Sequence, residues 1–216
     1  MFIWIVMVLF AFSTIGILIA EINDDQRIRY FAKPLLMPLL AAFYYLNAYQ
    51  VSPLIITALV FSFIGDVCLL WNQKKLLFAA GLFAFFITQL MYSIYLGSNI
   101  DWLFIQPALV YGGIAGYVGL GAMVYGLLFR YLKEMKIPVL VYILGLLLMS
   151  FLCLLNMSQN EGVAGWMPFI GSLFFILSDS MLAFHSFKAK ISKGGVYIMA
   201  SYLFAQILII CGFILS

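Results

Sequence analysis

The sequence contains very little charge for its length. Only 9% of its 216 residues are Asp, Glu, Lys or Arg, whereas 66% are hydrophobic. Soluble globular domains contain about 25% charged residues, so this chain does not have enough polar side chains to cover a water-exposed surface. The net charge of +3 comes from residues in short loops and at segment ends, so it does not indicate a nucleic-acid partner, and none is expected.

Histidine and cysteine are also scarce. His185 is the only histidine, near the end of an apolar segment, and Cys68, Cys153 and Cys211 are isolated from one another. A zinc hydrolase needs several N or S ligands, so no metal site is expected, and the cysteines are interpreted as packing residues. The sequence has no Gly-rich phosphate loop, no G-x-S-x-G motif and no Cys/His pairing. Any reaction must therefore use carboxylates and water, without a cofactor.

Long apolar segments dominate the chain. Eight of them alternate with short loops, and each can cross a bilayer core about 30 Å thick. They lie near residues 2–20, 30–47, 53–72, 75–96, 104–129, 138–157, 165–187 and 194–215. The first lacks a basic n-region and a small-residue cleavage site, so it is interpreted as a retained helix. The sequence predicts an all-α, polytopic membrane bundle of about eight transmembrane helices, a single integral membrane domain over residues 1–216.

The basic residues are distributed in a way that predicts the orientation. All 11 lie in or beside the first, third, fifth and seventh loops, and the even-numbered loops and both termini have none. They are Arg27, Arg29, Lys33, Lys74, Lys75, Arg130, Lys133, Lys136, Lys188, Lys190 and Lys193. Under the positive-inside rule both termini lie outside and the odd loops are cytoplasmic. If the chain is bacterial, the expected location is the inner membrane.

Two acidic side chains lie well inside apolar segments. Asp66 is in SFIGDVCLL of the third segment, and Asp179 is in FILSDSMLAF of the seventh. An Asp near the centre of a membrane helix costs about 2.5–3.5 kcal/mol on insertion scales, and such residues usually face a bundle interior or a water-filled cavity. Counting 1.5 Å per residue from the segment ends places both, and Lys33, at a similar depth in the cytoplasmic half. The sequence therefore predicts a polar pocket around these three residues.

A structural interpretation of the same residues stays open. Lys33 can neutralise one aspartate in an ion pair while the other is hydrated at the membrane edge. Polar companions favour the pocket, because Ser62 lies one turn before Asp66 and because Tyr202 and Gln206 share a face of the eighth segment. Each companion is weak evidence alone, since Ser and Tyr are common in membrane helices.

The two halves of the chain share features that suggest an internal duplication. FIGDVCLL and FILSDSML both place Phe and Ile before the acid and Leu after it, and four segments separate them. The next segment contains Gln89 in the first half and Gln206 in the second, and the preceding one joins Lys to Pro, in KPLL and KIPVL. Some transporter folds contain parallel repeats. We therefore predict a parallel repeat of four plus four helices.

The fifth segment is rich in glycine. Gly112, Gly116, Gly119 and Gly121 recur at spacings that suit close contact between backbones of neighbouring membrane helices. The pattern predicts that this segment packs tightly against its neighbours through these glycines.

Short motifs along the chain resemble those of a known family. KPLLMP, SFIGDVCLL, FILSDSMLAF and YLFAQILI resemble, in this order, motifs of the YhhN-type membrane proteins, the lysoplasmalogenase family. The resemblance covers nearly the whole chain and includes Pro138 and Tyr142 in PVLVY. One departure is Gln89, because members often carry His at this place before Tyr92. If that His helps proton transfer, this chain lacks that role.

The resemblance implies a hydrolase of the vinyl-ether bond of lysoplasmalogens. Such an enzyme releases a fatty aldehyde and a glycerophospho-head group, glycerophosphoethanolamine or glycerophosphocholine. Vinyl-ether hydrolysis needs a proton delivered to carbon and produces an oxocarbenium-like cation, which glycosidases handle with two carboxyl groups. Asp66 and Asp179 are the expected catalytic pair, with the acid unassigned. The candidate substrate-binding residues are Lys33, Tyr202, Gln206, Gln89 and Tyr92.

The expected partners are a lysophospholipid substrate, entering from the cytoplasmic leaflet, and the surrounding membrane lipids. A rival prediction is a transporter or lipid-binding membrane protein that uses the buried aspartates as a proton or ligand site. A purely structural partner subunit is a third alternative. The sequence does not decide the head group, the chain length or the oligomeric state.

Overall fold

The computed structural model describes residues 2–71, 73–160 and 162–216. Within them the chain forms eight α-helices and no strand. The helices are α1 (Phe2–Asn23), α2 (Gln26–Asn47), α3 (Pro53–Leu69), α4 (Lys75–Asn99), α5 (Pro107–Leu128), α6 (Lys136–Gln159), α7 (Val163–Ala183) and α8 (Gly194–Leu215). Each helix corresponds to one predicted segment, so the prediction of an all-α bundle is confirmed.

Local sequence explains where several helices begin. The Asp25 carboxylate caps α2 by accepting a hydrogen bond of 2.8 Å from the backbone N–H of Arg27. Pro53 and Pro107 occupy the first turns of α3 and α5, where a missing N–H costs no helical hydrogen bond. Helix α5 therefore begins at Pro107, later than the predicted fifth segment, because residues Trp102–Phe104 form a separate 3₁₀ turn before it.

Six of the eight helices are long and apolar enough to cross a membrane by length and composition alone: α1, α4, α5, α6, α7 and α8. The other two helices, α2 and α3, do not meet this criterion, each for its own reason. Helix α3 is apolar but has only 17 residues, and α2 contains Arg27, Arg29 and Lys33. Both pack among the long helices, as expected for a multi-pass membrane protein.

The helices form a ring with two outer helices. Around the ring, α2 packs on α3, α3 on α4, α4 on α6, α6 on α7, α7 on α8, and α8 returns to α2. Helix α1 lies outside against α2 and α8, whereas α5 lies outside against α6. Exchanging α1–α4 with α5–α8 reproduces the order of the ring, which supports the proposed duplication. The repeat itself stays a prediction.

The odd-numbered loops lie at one end of the bundle. Lys75, after the third helix, pairs with Glu134, after the fifth. Lys188, after the seventh, lies 5.7 Å from the ring centroid of Tyr131, also after the fifth. A Cβ added at Gly195, just after the seventh loop, would clash with the side chain of Glu21, just before the first loop. These two loops are therefore neighbours. This is the alternation that the basic residues indicated; the assignment of this end to the cytoplasm stays a prediction.

The glycine-rich face of α5 differs from the prediction. No described residue lies within 4 Å of a Cβ placed at Gly112, Gly116 or Gly119, so the predicted close contacts are wrong for these three. Gly121 does make such a contact, since its Cβ would lie 2.6 Å from a leucine of α6. The physical reason is that α5 packs on α6 through one face only, which turns the other glycines outward.

Candidate functional site

A polar cavity of about 670 Å³ opens at the odd-loop end of the bundle. Asp66 on α3, Asp179 on α7 and Lys33 on α2 all line it, so the structure brings together the three residues that the sequence predicted. We call this cavity the polar chamber. Its other polar lining residues are Glu21, Asp24, Gln26, Arg29, Gln73, Ser178, His185, Ser186, Lys190, Lys193 and Tyr202.

Asp66 is the more deeply buried of the two carboxyl groups, with 2% of its surface exposed. The Lys33 ammonium lies 3.6 Å from its Oδ1 atom, and the Tyr202 hydroxyl donates a hydrogen bond of 3.0 Å to its Oδ2 atom. A buried carboxylate needs such partners, because removing it from water is costly. Three helices, α2, α3 and α8, therefore meet at Asp66 and stabilise its ionised form.

Asp179 has a different environment. Its Oδ2 atom accepts a hydrogen bond from the hydroxyl of Tyr142 on α6. Among the described residues no Lys, Arg or His forms an ion pair with it. The side chain is half-buried, whereas Asp66 is buried. The two carboxyl groups thus share one cavity but differ in their partners, since only Asp66 has a cation beside it.

Three aromatic rings pack together at the wall of the chamber, beside Asp66. The ring of Tyr202 packs edge-to-face against Phe85 at 5.7 Å and against Phe175 at 5.6 Å between centroids. Gly65, next to Asp66, makes this packing feasible, because a Cβ there would lie 2.6 Å from the Phe85 ring. Phe85 and Tyr202 both line the chamber. Phe175 packs behind them, so this part of the chamber wall is aromatic.

A buried hydrogen-bond network supports Tyr202 from below. The Gln206 amide nitrogen donates to the Ser62 hydroxyl at 3.1 Å and approaches the Tyr202 hydroxyl at 3.5 Å. The Gln206 amide oxygen accepts a hydrogen bond of 3.0 Å from the hydroxyl of Tyr92. Because α3, α4 and α8 all contribute, the network holds Tyr202 in one orientation beside Asp66.

The mouth of the chamber carries unpaired positive charge. Arg29 is neutralised by Glu21 at 2.9 Å and by Asp24 at 3.1 Å. Lys190 and Lys193 form no ion pair with any described residue, although both line the chamber. An anionic group entering the chamber therefore meets two lysines before it reaches the carboxyl groups.

The sequence of this chain matches the profile of a known protein family. The profile of the YhhN family matches residues 28–213, which include every residue of the chamber except Glu21, Asp24 and Gln26. The chain belongs to the YhhN family. No solved structure matches this chain significantly.

Curated relatives of this YhhN protein are named as enzymes. Lysoplasmalogenase TMEM86B of Homo sapiens is 33% identical over 153 residues, which are 70% of this chain and 59% of the human protein. The Sus scrofa protein of the same name is 32% identical over 158 residues, with the same shares. Lysoplasmalogenase TMEM86A of Homo sapiens is 28% identical over 177 residues, 76% of this chain and 67% of that protein. The chain thus spans 59% of the length of the two TMEM86B proteins.

The remaining predicted site residues of the YhhN chain lie outside the chamber lining. Gln206 and Tyr92 are fully enclosed in the network beneath Tyr202. Gln89 is also fully buried, and neither atom of its amide has a hydrogen-bond partner among the described residues. It lies beside Tyr142, so each aspartate has a tyrosine partner with a glutamine next to it. Gln206, Tyr92 and Gln89 therefore pack behind the residues that line the chamber.

Sequence reasoning missed several residues of the YhhN site. Tyr142 was included only in the motif PVLVY, and a lone tyrosine in an apolar helix is a weak signal by itself. Lys190 and Lys193 were interpreted only as orientation signals, although they line the chamber. His185 also lines it, and its Nδ1 atom accepts a hydrogen bond of 3.0 Å from the backbone N–H of Ile191. His185 thereby holds the loop that carries both lysines.

Proposed function

We propose that this YhhN-family protein is a membrane lysoplasmalogenase, which hydrolyses the vinyl-ether bond of a lysoplasmalogen to a fatty aldehyde and a glycerophospho-head group. The observation that carries the proposal is the pair Asp66 and Asp179, two carboxyl groups in one chamber, of which, in the described part of the chain, only the first has a cation beside it. The names of the curated relatives support the same activity.

The reaction begins with proton transfer to carbon. Asp179 has no cation beside it among the residues that the structure describes, so it is the better candidate for the protonated acid. It donates its proton to the vinyl carbon nearer the hydrocarbon chain, and the double bond becomes a C–H bond and an oxocarbenium ion. Tyr142 donates to one oxygen of Asp179, which leaves the other oxygen to hold the transferable proton. General acid catalysis of this kind contributes typically about 10²–10⁴-fold.

Water then captures the cation. Asp66, held as a carboxylate by Lys33 and Tyr202, takes a proton from the attacking water, and the new C–O bond gives a hemiacetal. The hemiacetal breaks down when Asp179 takes back the hydroxyl proton and Asp66 returns its proton to the leaving glycerol oxygen. One water is consumed, the ether C–O bond breaks, and both carboxyl groups regain their starting states. Glycosidases use two carboxyl groups on a related cation.

The chamber also suits the polar part of a lysophospholipid. Its volume of about 670 Å³ accommodates a hydrated head group, and Lys190 and Lys193 at its mouth suit a phosphate. We propose that the chamber opens to the cytoplasmic side, because its mouth is formed by the odd-numbered loops, which contain the basic residues. For a bacterial chain, the proposed location is the inner membrane.

Purified protein in detergent, incubated with a lysoplasmalogen, tests the activity directly. The expected result is release of free aldehyde together with an equal amount of the glycerophospho-head group. A lysolipid with a saturated alkyl ether is the matched control substrate, because it has no double bond to protonate and must stay intact. Binding or transport of the lysoplasmalogen without any aldehyde would favour the rival function, a transporter or lipid-binding protein.

A further inference from the structure

A second, smaller cavity also has Asp179 in its lining. It has a volume of about 40 Å³, and helices α4, α5, α6 and α7 form its walls. We call it the apolar crevice. Apart from Tyr142, Asp179 and Ser180, the side chains that line it are hydrophobic, and they include Val124 and Leu128 on α5.

Asp179 lies between the two cavities. It lines both the polar chamber and the apolar crevice, as does Leu182 one turn later on α7. A molecule that crosses Asp179 therefore passes from a charged space directly into a hydrophobic one. In a lysolipid the hydrated head group, the linkage at the first chain carbon and the hydrocarbon chain follow one another in the same order.

We propose that the apolar crevice binds the first few carbons of the substrate's hydrocarbon chain, and that the rest of the chain leaves the protein between α4 and α5 into the bilayer. This inference rests on the proposed function, since it places the reacting bond at Asp179. A water-sized group occupies about 10–15 Å³ of such a volume, so a crevice of about 40 Å³ holds about three carbon-sized groups. A long chain must continue elsewhere.

The surroundings of α5 favour this exit. Phe78 and Leu82 on α4 and Val124 and Leu128 on α5 all line the crevice, yet α4 and α5 are not a packed pair in the described part of the chain. Only Gly121 and Leu128 of α5 are buried. Of the helices that line the crevice, α5 has the fewest buried residues, so a hydrocarbon chain that leaves beside it meets lipid and no polar backbone group loses a partner.

Selectivity follows from the small size of the crevice. Only carbons next to the linkage contact the protein, so affinity should depend on the presence of a short apolar stretch there and little on the total chain length. Filling the crevice should weaken the binding of every chain length equally, because all share these first carbons.

The test compares two substitutions of the same type on α5. Val124→Phe adds a ring at the crevice, whereas Val118→Phe adds it on the exposed face of the same helix, where Val118 is 64% exposed. The measurement is binding of saturated alkyl-ether lysolipids of several chain lengths, which the enzyme cannot hydrolyse. We expect Val124→Phe to lower the affinity about tenfold or more at every length, equivalent to about 1.4 kcal/mol, and Val118→Phe to leave it unchanged.

A photoreactive label on the lysolipid gives a second readout that does not depend on the stability of a variant. A label near the ether linkage should cross-link to crevice residues of α5 and α6, and a label at the far end of the chain should react mainly with lipid. Equal affinity of Val124→Phe and wild type, no binding by wild type, or cross-links of the near label outside the crevice would each overturn the inference. Since binding needs no turnover, a wild type that binds in this way but releases no aldehyde would refute the hydrolase alone.

Discussion

The Lys33 ammonium lies 3.6 Å from Oδ1 of Asp66 in the interior of a membrane bundle, and only 12% of the Lys33 side chain is exposed. The pair joins α2 to α3, whereas Asp179, the second carboxyl group of the chamber, forms no ion pair with any residue in the described ranges. The site therefore contains both features that the sequence suggested. Lys33 and Asp66 form the ion pair of the structural interpretation, and Asp179 lines the same cavity, as the polar-pocket interpretation predicted.

Both carboxyl groups are expected to be essential for hydrolysis. Asp179→Asn removes the proton donor and Asp66→Asn removes the base, so each should lower kcat by about 10²–10⁴-fold. Aldehyde release from purified variants is the measurement. Asp101→Asn, which changes an exposed acid in an even-numbered loop, is the matched control and should keep wild-type activity. Near-normal aldehyde release from either chamber variant would exclude that residue from the chemistry.

Lys33→Met should destabilise the protein through Asp66. The variant leaves a buried carboxylate without its cation, and breaking a buried pair in this way costs about 3–5 kcal/mol. The double variant Lys33→Met with Asp66→Asn removes both charges and should recover much of this loss, although it should stay inactive. Thermal unfolding in detergent compares Lys33→Met, Asp66→Asn and the double variant, and strictly additive effects would contradict coupling between the two residues.

Tyr142→Phe should reduce turnover without preventing folding. The substitution removes the hydroxyl that donates to Asp179, so the acid loses its orientation while its own proton remains. We expect kcat to fall about tenfold to a hundredfold, with a changed pH profile and a nearly constant KM. Tyr117→Phe is the control, since it removes a hydroxyl bonded at 2.8 Å to Ser150, away from the chamber. A wild-type pH profile in Tyr142→Phe would show that the hydroxyl does not act on Asp179.

The two buried glutamines should respond oppositely to replacement by methionine. Gln206 bonds to Ser62 and Tyr92, so Gln206→Met leaves buried partners unsatisfied and should destabilise the protein by about 1–3 kcal/mol. Gln89 lies beside Tyr142, but among the described residues neither of its amide atoms has a partner in hydrogen-bond geometry, so Gln89→Met should be neutral or stabilising. The difference in midpoint of thermal unfolding between the two variants is the measurement. Equal losses would mean that Gln89 has partners in solution, such as water.

Much of the fold could be predicted from the sequence, and the exceptions have local causes. The eight helices were expected because long apolar segments in lipid must satisfy their backbone hydrogen bonds internally. The glycines of α5 were misinterpreted because spacing indicates which residues share a face, whereas it does not indicate whether another helix covers that face. The same limit explains why Tyr142 was missed, since its partner Asp179 lies 37 residues away in the chain.

The sequence by itself determined that the chain is a helical membrane protein, because a chain with 9% charged residues cannot form a water-exposed surface. It also determined which carboxyl groups require an explanation, because only Asp66 and Asp179 lie deep in apolar segments. The tertiary structure alone decided that Lys33 pairs with Asp66 and that Asp179 lies between a polar and an apolar cavity. The physical reason is that these relations depend on how each helix is rotated and on which helix packs against it.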